Sequence, residues 1–284
     1  MTCSDSNAPD DYVVIGNPVA HSLSPQIHAY FAAQTGERLS YGRLLAPPDG
    51  FPAVVEKFFA GGGSGANVTL PFKGAAAQWV NELDEAAAFA SAVNTIVPLA
   101  AGRFRGCNTD GVGLLADLRR GFEPTGLAGM NILVLGAGGA VRGVLGPLAQ
   151  QQPGSVIITN RTQGTAIRLA EELAGRYPDL TVSAVAVEEL HGSFDLVING
   201  TSAGLQNAVL EVPGTVVNGA FCYDMSYGAQ AAFCRWARDQ GAIATLDGLG
   251  MLVEQAAAAF FLWRGKTPDT TPVLAELRAE LERR

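Results

Sequence analysis

Two α/β domains are predicted, the second built on a doubly wound parallel sheet. Three observations predict this architecture. Strand-like and helix-like apolar patterns alternate along nearly the whole chain; a strand of buried type, NILVL, runs straight into a glycine-rich turn and a helix; and 284 residues suit two packed domains better than one core.

The elements follow in order. Residues 1–10 are polar and acidic and are expected to fray. An apolar strand at 12–15 precedes a helix at 25–34 that opens with Pro25, and a strand at 39–45 precedes a helix at 52–59. A strand at 66–70 is followed by helical stretches at 75–83 and 85–90. Strands at 93–99 and 103–107 resemble a hairpin turning at Ala101-Gly102, and a helix from about 110 to 120 stops at Gly121. The connector GFEPTGLAG then opens a cleaner series. Its strands are at 131–135, 156–159, 181–187, 196–198 and around Tyr223, with helices near 140–150, 165–176 and 230–239. Such alternation implies a parallel sheet covered on both faces. After AIATLDG come two closing helices, at 251–263 and 272–282, and the join between domains falls near 110–125.

Composition excludes several classes. Hydrophobic residues make up 48% and charged residues 16%, the balance of a folded chain. A formal charge of -8 makes nucleic acid and anionic membrane poor partners, so a small molecule is expected. Cys3, Cys107, Cys222 and Cys234 show neither CxxC nor CxxH spacing, which argues against a metal and against a disulfide framework and suits a cytoplasmic protein. The apolar stretch at 255–263 is too short to span a bilayer, and the opening MTCSDSNAPDD lacks the apolar core of a leader.

NILVLGAGGAVRG carries the first chemical signal. Gly136 permits the sharp turn, Gly138 lets backbone approach a pyrophosphate, and the helix start offers amide donors. Val141 stands where a third motif glycine is usual, and Pro147 is expected to kink the helix. A strand, turn and helix in this order predict a Rossmann-like dinucleotide site rather than a glycine turn that binds nothing. The next strand, VIITNRT, ends in Asn160, Arg161 and Thr162 with no carboxylate for ribose hydroxyls. A guanidinium there suits a 2′-phosphate, since a charge-assisted hydrogen bond is worth about 1.5–3 kcal/mol. NADP is therefore the expected cofactor.

Three segments of the first half hold polar groups that need explaining. In GNPVAHSLSP, Ser22 and Ser24 precede a helix and could receive a carboxylate, although serines there are commonly caps. In NVTLPFK, Lys73 is one of only three lysines, against sixteen arginines, and sits among apolar neighbours. A desolvated lysine can exchange a proton where an arginine cannot; the bland alternative is a surface lysine at a helix start. In AVNTIV and CNTDGVG, Asn94 and Asn108 frame Asp110, which is either a cap or a functional carboxylate. His21, His28 and His191 have no metal-ligand spacing, and Cys107 and Cys222 are taken as small apolar fillers.

HSLSP, NVTLPFK, AVNT, NTDGVGLL, GAGGA, NRT, YDMSY and DGLGMLVEQAA occur in the order, and at about the spacing, of shikimate dehydrogenases. From about residue 11 to 270 the chain resembles that family. The resemblance implies reversible, NADP-linked reduction of 3-dehydroshikimate to shikimate, in aromatic amino-acid biosynthesis. It implies that Ser22 and Ser24, with Tyr227, hold the substrate carboxylate. Thr69, Asn94, Asp110 and Gln255 would bind ring hydroxyls, and Lys73 with Asp110 would form the catalytic pair facing a common cleft. Gly136, Ala137, Gly138, Gly139, Ala140, Asn160, Arg161, Thr162, Met225 and Gly248 would contact NADP.

It further implies that the C-terminal helices pack on the first domain. Residues 1–112 with 248–284 would then bind substrate and 113–247 would bind NADP, in a monomer or homodimer. One departure is visible. NADP-preferring relatives often carry a second arginine shortly after NRT, where this chain has Gln163, Gly164 and Thr165; the next is Arg168, a turn further on. Thr165 can still donate a hydrogen bond to the phosphate, but a weaker NADP preference is foreseen.

Two other functions compete. A quinate/shikimate dehydrogenase using NAD is disfavoured by Arg161 and the missing carboxylate. A non-catalytic NADP-binding sensor is disfavoured by the presence of both Lys73 and Asp110.

Overall fold

Two six-stranded sheets carry the chain in a computed structural model that describes residues 9–122, 126–201 and 212–283. The chain divides into two units: Met1–Thr109 with Ala256–Val273, and Asp110–Gln255 with Leu274–Arg284.

In the first unit, β1 (Asp10–Gly16), α1 (Ser24–Thr35), β2 (Leu39–Leu45), α2 (Phe51–Ala60), β3 (Gly65–Val68) and α3 (Lys73–Trp79) come first. They are followed by β4 (Glu82–Leu83), α4 (Glu85–Ala90), β5 (Thr95–Pro98) and β6 (Phe104–Cys107). The sheet order is β2-β1-β3-β5-β6-β4, with β1 parallel to both neighbours and β5 antiparallel to β3 and β6. Val13, Val14 and Ile15 are all buried, the unbroken apolar run of a central strand covered on both faces. Ile15, Val68, Phe51, Val55, Phe72, Val93 and Ile96 form one core under α2 and α3.

The second unit holds α5 (Asp110–Phe122), β7 (Asn131–Leu135), α6 (Gly139–Ala149), β8 (Ser155–Thr159), α7 (Gln163–Arg176), β9 (Thr181–Ala184) and β10 (Leu196–Asn199). After these come β11 (Phe221–Asp224), α8 (Ala232–Asp239) and β12 (Ala244–Asp247). Its sheet is parallel throughout, in the order β12-β11-β10-β7-β8-β9. The winding direction reverses between β7 and β10, which opens a crevice at their carboxyl ends. Helices α9 (Leu249–Arg264) and α10 (Thr270–Glu282) each have residues in both units. In the first, the indole of Trp263 donates to the Ile96 carbonyl at 3.1 Å and Arg264 pairs with Glu37. In the second, Arg278 grips both oxygens of Asp247 at 2.7 Å.

Several sequence-based boundaries are corrected. The helix expected at 75–83 spans Lys73–Trp79, because Glu82 and Leu83 pair with Arg105 and Gly106 as β4. The strand expected to reach 187 stops at Ala184, and Val187–Glu189 is a 3-10 turn. AIATLDG contains a strand, β12, whose residues are all half-exposed and so lack a clear pattern. The frayed tail expected at 1–10, with Cys3, lies largely outside the described residues, as do 123–125 of the connector. Helix α6 runs past Pro147 to Ala149.

Within the second unit α5 and α9 pack closely. A Cβ at Gly113 would stand 2.8 Å from the Gln255 Cβ and from the Met251 carbonyl. Further along, buried Asp117 accepts from the Tyr223 hydroxyl at 2.7 Å and pairs with Arg120, which also reaches Glu254 at 2.7 Å. Removing one member of such a network strands the others away from water. Asp117→Ala is therefore expected to cost about 3 kcal/mol in urea unfolding, while Arg103→Ala, at an exposed pair with Glu82, should cost under about 1 kcal/mol.

Candidate active site

The first cluster is assembled at the carboxyl ends of β1 and β3. The Thr69 amide donates to the Ile15 carbonyl at 2.9 Å and the Asn17 amide to the Leu70 carbonyl at 2.9 Å, so the two chain exits run together. This needs Gly16, since a Cβ there would lie 2.4 Å from the Thr69 methyl. The Phe72 amide closes a turn onto the Thr69 carbonyl at 3.0 Å and delivers half-buried Lys73 as the first residue of α3. The Lys73 carbonyl accepts from the Val93 amide at 2.9 Å, which brings α3 beside Asn94.

Ser22 and Ser24 sit at the start of α1, whose N-cap position is Leu23 without a side-chain cap. The Ser22 hydroxyl donates to Ser24 Oγ at 3.1 Å and also accepts the Ser24 amide at 3.2 Å. Arg43 donates twice to the Ser22 carbonyl, at 2.6 and 3.1 Å. Behind the serines runs a buried polar chain. The Tyr41 hydroxyl donates to Asn67 Oδ1 at 2.6 Å, and burial pushes that phenol well above its ordinary range, so it remains a donor. Asn67 Nδ2 donates to the Asn94 carbonyl and to Thr95 Oγ1 at 3.1 and 3.0 Å, and Thr95 donates to Asn94 Oδ1 at 2.8 Å. Asn94 Oδ1 also accepts the Thr109 amide at 3.0 Å, which pins the chain just before Asp110. His28, stacked on Tyr41 at 4.3 Å, is pushed down to about 3 by burial and stays neutral at pH 7.

The second unit holds the nucleotide-type loops. Gly136, at φ +106, has the left-handed conformation that a side chain would strain, and its amide donates to the Thr159 carbonyl at 2.7 Å. Gly138 caps α6 with no side-chain bond, leaving the first-turn amides directed outward. Val141 is fully buried, and a Cβ at Gly200 would meet its methyl at 2.4 Å. The close packing usually provided by a third motif glycine is thus supplied by Gly200, after β10. A Cβ at Gly200 would also meet Met225 Sδ at 2.9 Å, and one at Gly248 the Met225 carbonyl at 2.4 Å, so Met225 is wedged between two glycines. At the end of β8, Arg161 and Thr162 are exposed, and Asn160 Nδ2 donates to the Thr162 carbonyl at 3.1 Å. These open amides and the exposed guanidinium, with no carboxylate from 151 to 170, fit a dinucleotide bearing an extra phosphate.

The predicted residues fall into two groups. Ser22, Ser24, Thr69, Lys73 and Asn94 gather in the first unit. Buried Asp110, at the start of α5, and Gln255, against Gly113 of α5, belong to the second with Tyr227, Gly136–Ala140, Asn160–Thr162, Thr165, Met225 and Gly248. Burial, with the Asp247 carboxylate nearby, raises the Tyr227 phenol above its ordinary range. Sequence reasoning missed Tyr41, Asn67, Thr95 and Thr109, and also Asn199, Gly200, Thr201 and Asp224. For Asn67 a signal existed: an amide inside a strand that is otherwise small and apolar. Cys107 and Cys222 are buried and pushed up to about 12, as fillers would be.

Comparison with known proteins gives a consistent result. Residues 14–96 match the family described as shikimate dehydrogenase substrate binding domain, 119–212 match shikimate / quinate 5-dehydrogenase, and 248–278 match shikimate 5′-dehydrogenase C-terminal domain. A shikimate dehydrogenase (NADP(+)) of Hahella chejuensis is 51% identical over 95% of this chain and 98% of its own. The Ael1 enzyme of Pseudomonas putida has a similar crystal structure, with TM-score 0.88 and 40% identity over 94% of this chain and 98% of that one. So does shikimate 5-dehydrogenase of Thermus thermophilus in complex with NADP(H) and shikimate, with TM-score 0.82 and 33% identity over 95% and 99%.

Asp224 gives this site a pH signature. It is 1% exposed at the end of β11, accepts from Asn199 Nδ2 at 3.2 Å and from the Ser226 amide at 3.0 Å, and is raised by burial from 3.8 to about 6. A folded-state pKa above the unfolded one means its contribution is complete below about pH 4 and lost as pH rises through 6. Denaturant unfolding should show the stability of the wild type relative to Asp224→Asn falling by on the order of 2 kcal/mol between about pH 4 and 7. A flat difference would place the proton elsewhere.

Proposed function

The chain belongs to the shikimate dehydrogenase family, and we propose that it catalyses the reversible reduction of 3-dehydroshikimate to shikimate with NADPH, within aromatic amino-acid biosynthesis. The observation that carries this proposal is that Thr69, Lys73 and Asn94 lie where β1, β3 and β5 meet, with Ser24 and its partner Ser22 joined to Asn94 through Tyr41 and Asn67. Two hydroxyls at a helix start, a threonine, an ammonium and an amide match a small, hydroxylated, carboxylate-bearing ring.

The roles follow from the chemistry of each group. Ser22 and Ser24 receive the carboxylate, aided by the amides of α1 and by the Tyr227 hydroxyl. Thr69, Asn94, Asp110 and Gln255 bind ring hydroxyls. NADPH, when bound, supplies the hydride that reduces the ketone carbon. Lys73 stabilises the negative charge that then develops on the carbonyl oxygen and gives that oxygen a proton; in the reverse direction it takes the proton back. Asp110 is the second catalytic residue, holding the reacting hydroxyl in line for that transfer. Gly136, Ala137, Gly138, Gly139 and Ala140 offer amides to the pyrophosphate, and Asn160, Arg161, Thr162 and Thr165 surround the adenosine phosphate. Met225 and Gly248 would also contact NADP.

Residues 1–112 with 248–284 are proposed as the substrate-binding part and 113–247 as the NADP-binding part. Free, buried Cys107, Cys222 and Cys234 fit a reducing cytoplasm, and no described helix is long and apolar enough to cross a membrane. The protein is proposed to act as a monomer or homodimer, without nucleic acid.

Following NADPH absorbance with 3-dehydroshikimate tests the assignment directly. Lys73→Ala should lower kcat by about 100-fold or more with a much smaller change in KM. If Lys73→Ala and Asp110→Asn both kept wild-type kcat, the mechanism would be wrong. Arg161→Ala should raise KM for NADP by roughly 10- to 100-fold and leave KM for NAD almost unchanged.

A further inference from the structure

The phosphate that distinguishes NADP from NAD carries about -1.5 to -2 charges at neutral pH. Opposite it the proposed function places one full cation, Arg161, in a protein whose net charge is -8. The segment 151–170 contains a second arginine, Arg168, and no Asp or Glu at all. Arg168 lies on the second turn of α7, beyond the stretch that sequence reasoning assigns to the cofactor.

Its side chain runs back along the helix. Nη2 donates to Thr165 Oγ1 at 3.4 Å, and a Cβ built at Gly164 would lie 3.7 Å from Nη1. Helical side chains lean toward the N-terminus and overlie positions three and four residues earlier, here Thr165 and Gly164. Because Gly164 has no side chain, the guanidinium can lie over bare first-turn backbone. The carboxylate one turn the other way, Glu172, is held by Arg142 at 2.5 Å. At this same end of α7, Thr162 is the N-cap but makes no side-chain cap bond, and its carbonyl accepts the Thr165 amide at 3.0 Å. Arg161, Thr162, Gln163 and Arg168 are all exposed there.

We propose that Arg168 is the second cation of the 2′-phosphate site, closing on the phosphate from the helix side while Arg161 meets it from the strand end. This rests on the NADP assignment above. Two guanidinium groups match the doubly charged ester, and the hydroxyl of Thr165 steers the longer reach of Arg168. Arg168 is thus a specificity-determining, cofactor-binding residue.

Calorimetric titration of the full chain with adenosine 2′,5′-bisphosphate, and with 5′-AMP as control, tests this without turnover. Arg168→Ala is expected to weaken the bisphosphate by about 10-fold and 5′-AMP by less than about 2-fold. If Arg168→Ala binds the bisphosphate like wild type while Arg161→Ala does not, the phosphate rests on Arg161 alone and the proposal is overturned, though the NADP assignment stands. If both probes weaken equally, Arg168 acts on something other than the phosphate and the proposal also fails. If neither arginine matters, the assignment of this strand end to NADP falls with it.

Discussion

An amide shut away from water has to find its partners inside the protein, and Asn94, 3% exposed, finds them on four segments at once. Its backbone amide donates to Cys107 and its carbonyl accepts from Val68 and from the Asn67 side chain, while Oδ1 accepts from Thr95 and Thr109. The ends of β3 and β6, the start of β5 and the approach to α5 are therefore referred to one residue, through its backbone and its side chain together. The placement of Lys73 depends on it at one remove, through the Val93 amide. So does the route by which the chain reaches Asp110. Because the network is dry, shifting one member would strand several donors, which makes the arrangement stiff before any substrate arrives.

The electrostatic setting explains the choice of donors. A chain with net charge -8 that is proposed to bind an anionic substrate and an anionic cofactor cannot rely on a general attractive field. In the proposed roles local devices would do the binding instead: hydroxyls at the start of α1, amides at the start of α6, and guanidinium groups in a stretch free of carboxylates. Parallel sheets place helix starts at the carboxyl ends of their strands, so this topology concentrates the positive ends of peptide dipoles where both anions are needed.

Much of this was legible from residue order alone. The runs Val13–Ile15 and Ile132–Leu135 read as central strands because every position is apolar, and they are buried throughout. The glycine turn and NRT could be placed because strand, turn and helix are contiguous. What escaped has a common cause. β4 is two residues long and β12 is uniformly half-exposed, so neither leaves a periodic trace. Tyr41 and Asn67 meet across 26 positions, and Asn67 and Thr95 across 28, distances over which no local pattern operates.

The exchange between Val141 and Gly200 reaches beyond this protein. What the helix after a dinucleotide turn requires is a fixed volume at one contact, and that volume can be vacated from either side. A fingerprint that counts glycines along a single loop scores Val141 as a defect, yet the vacancy has only moved 59 positions downstream, to the strand on the other side of the crevice. Searches for such folds gain reach by treating the two positions as one small–large pair, and engineers transplanting the loop into another sheet must carry both halves together.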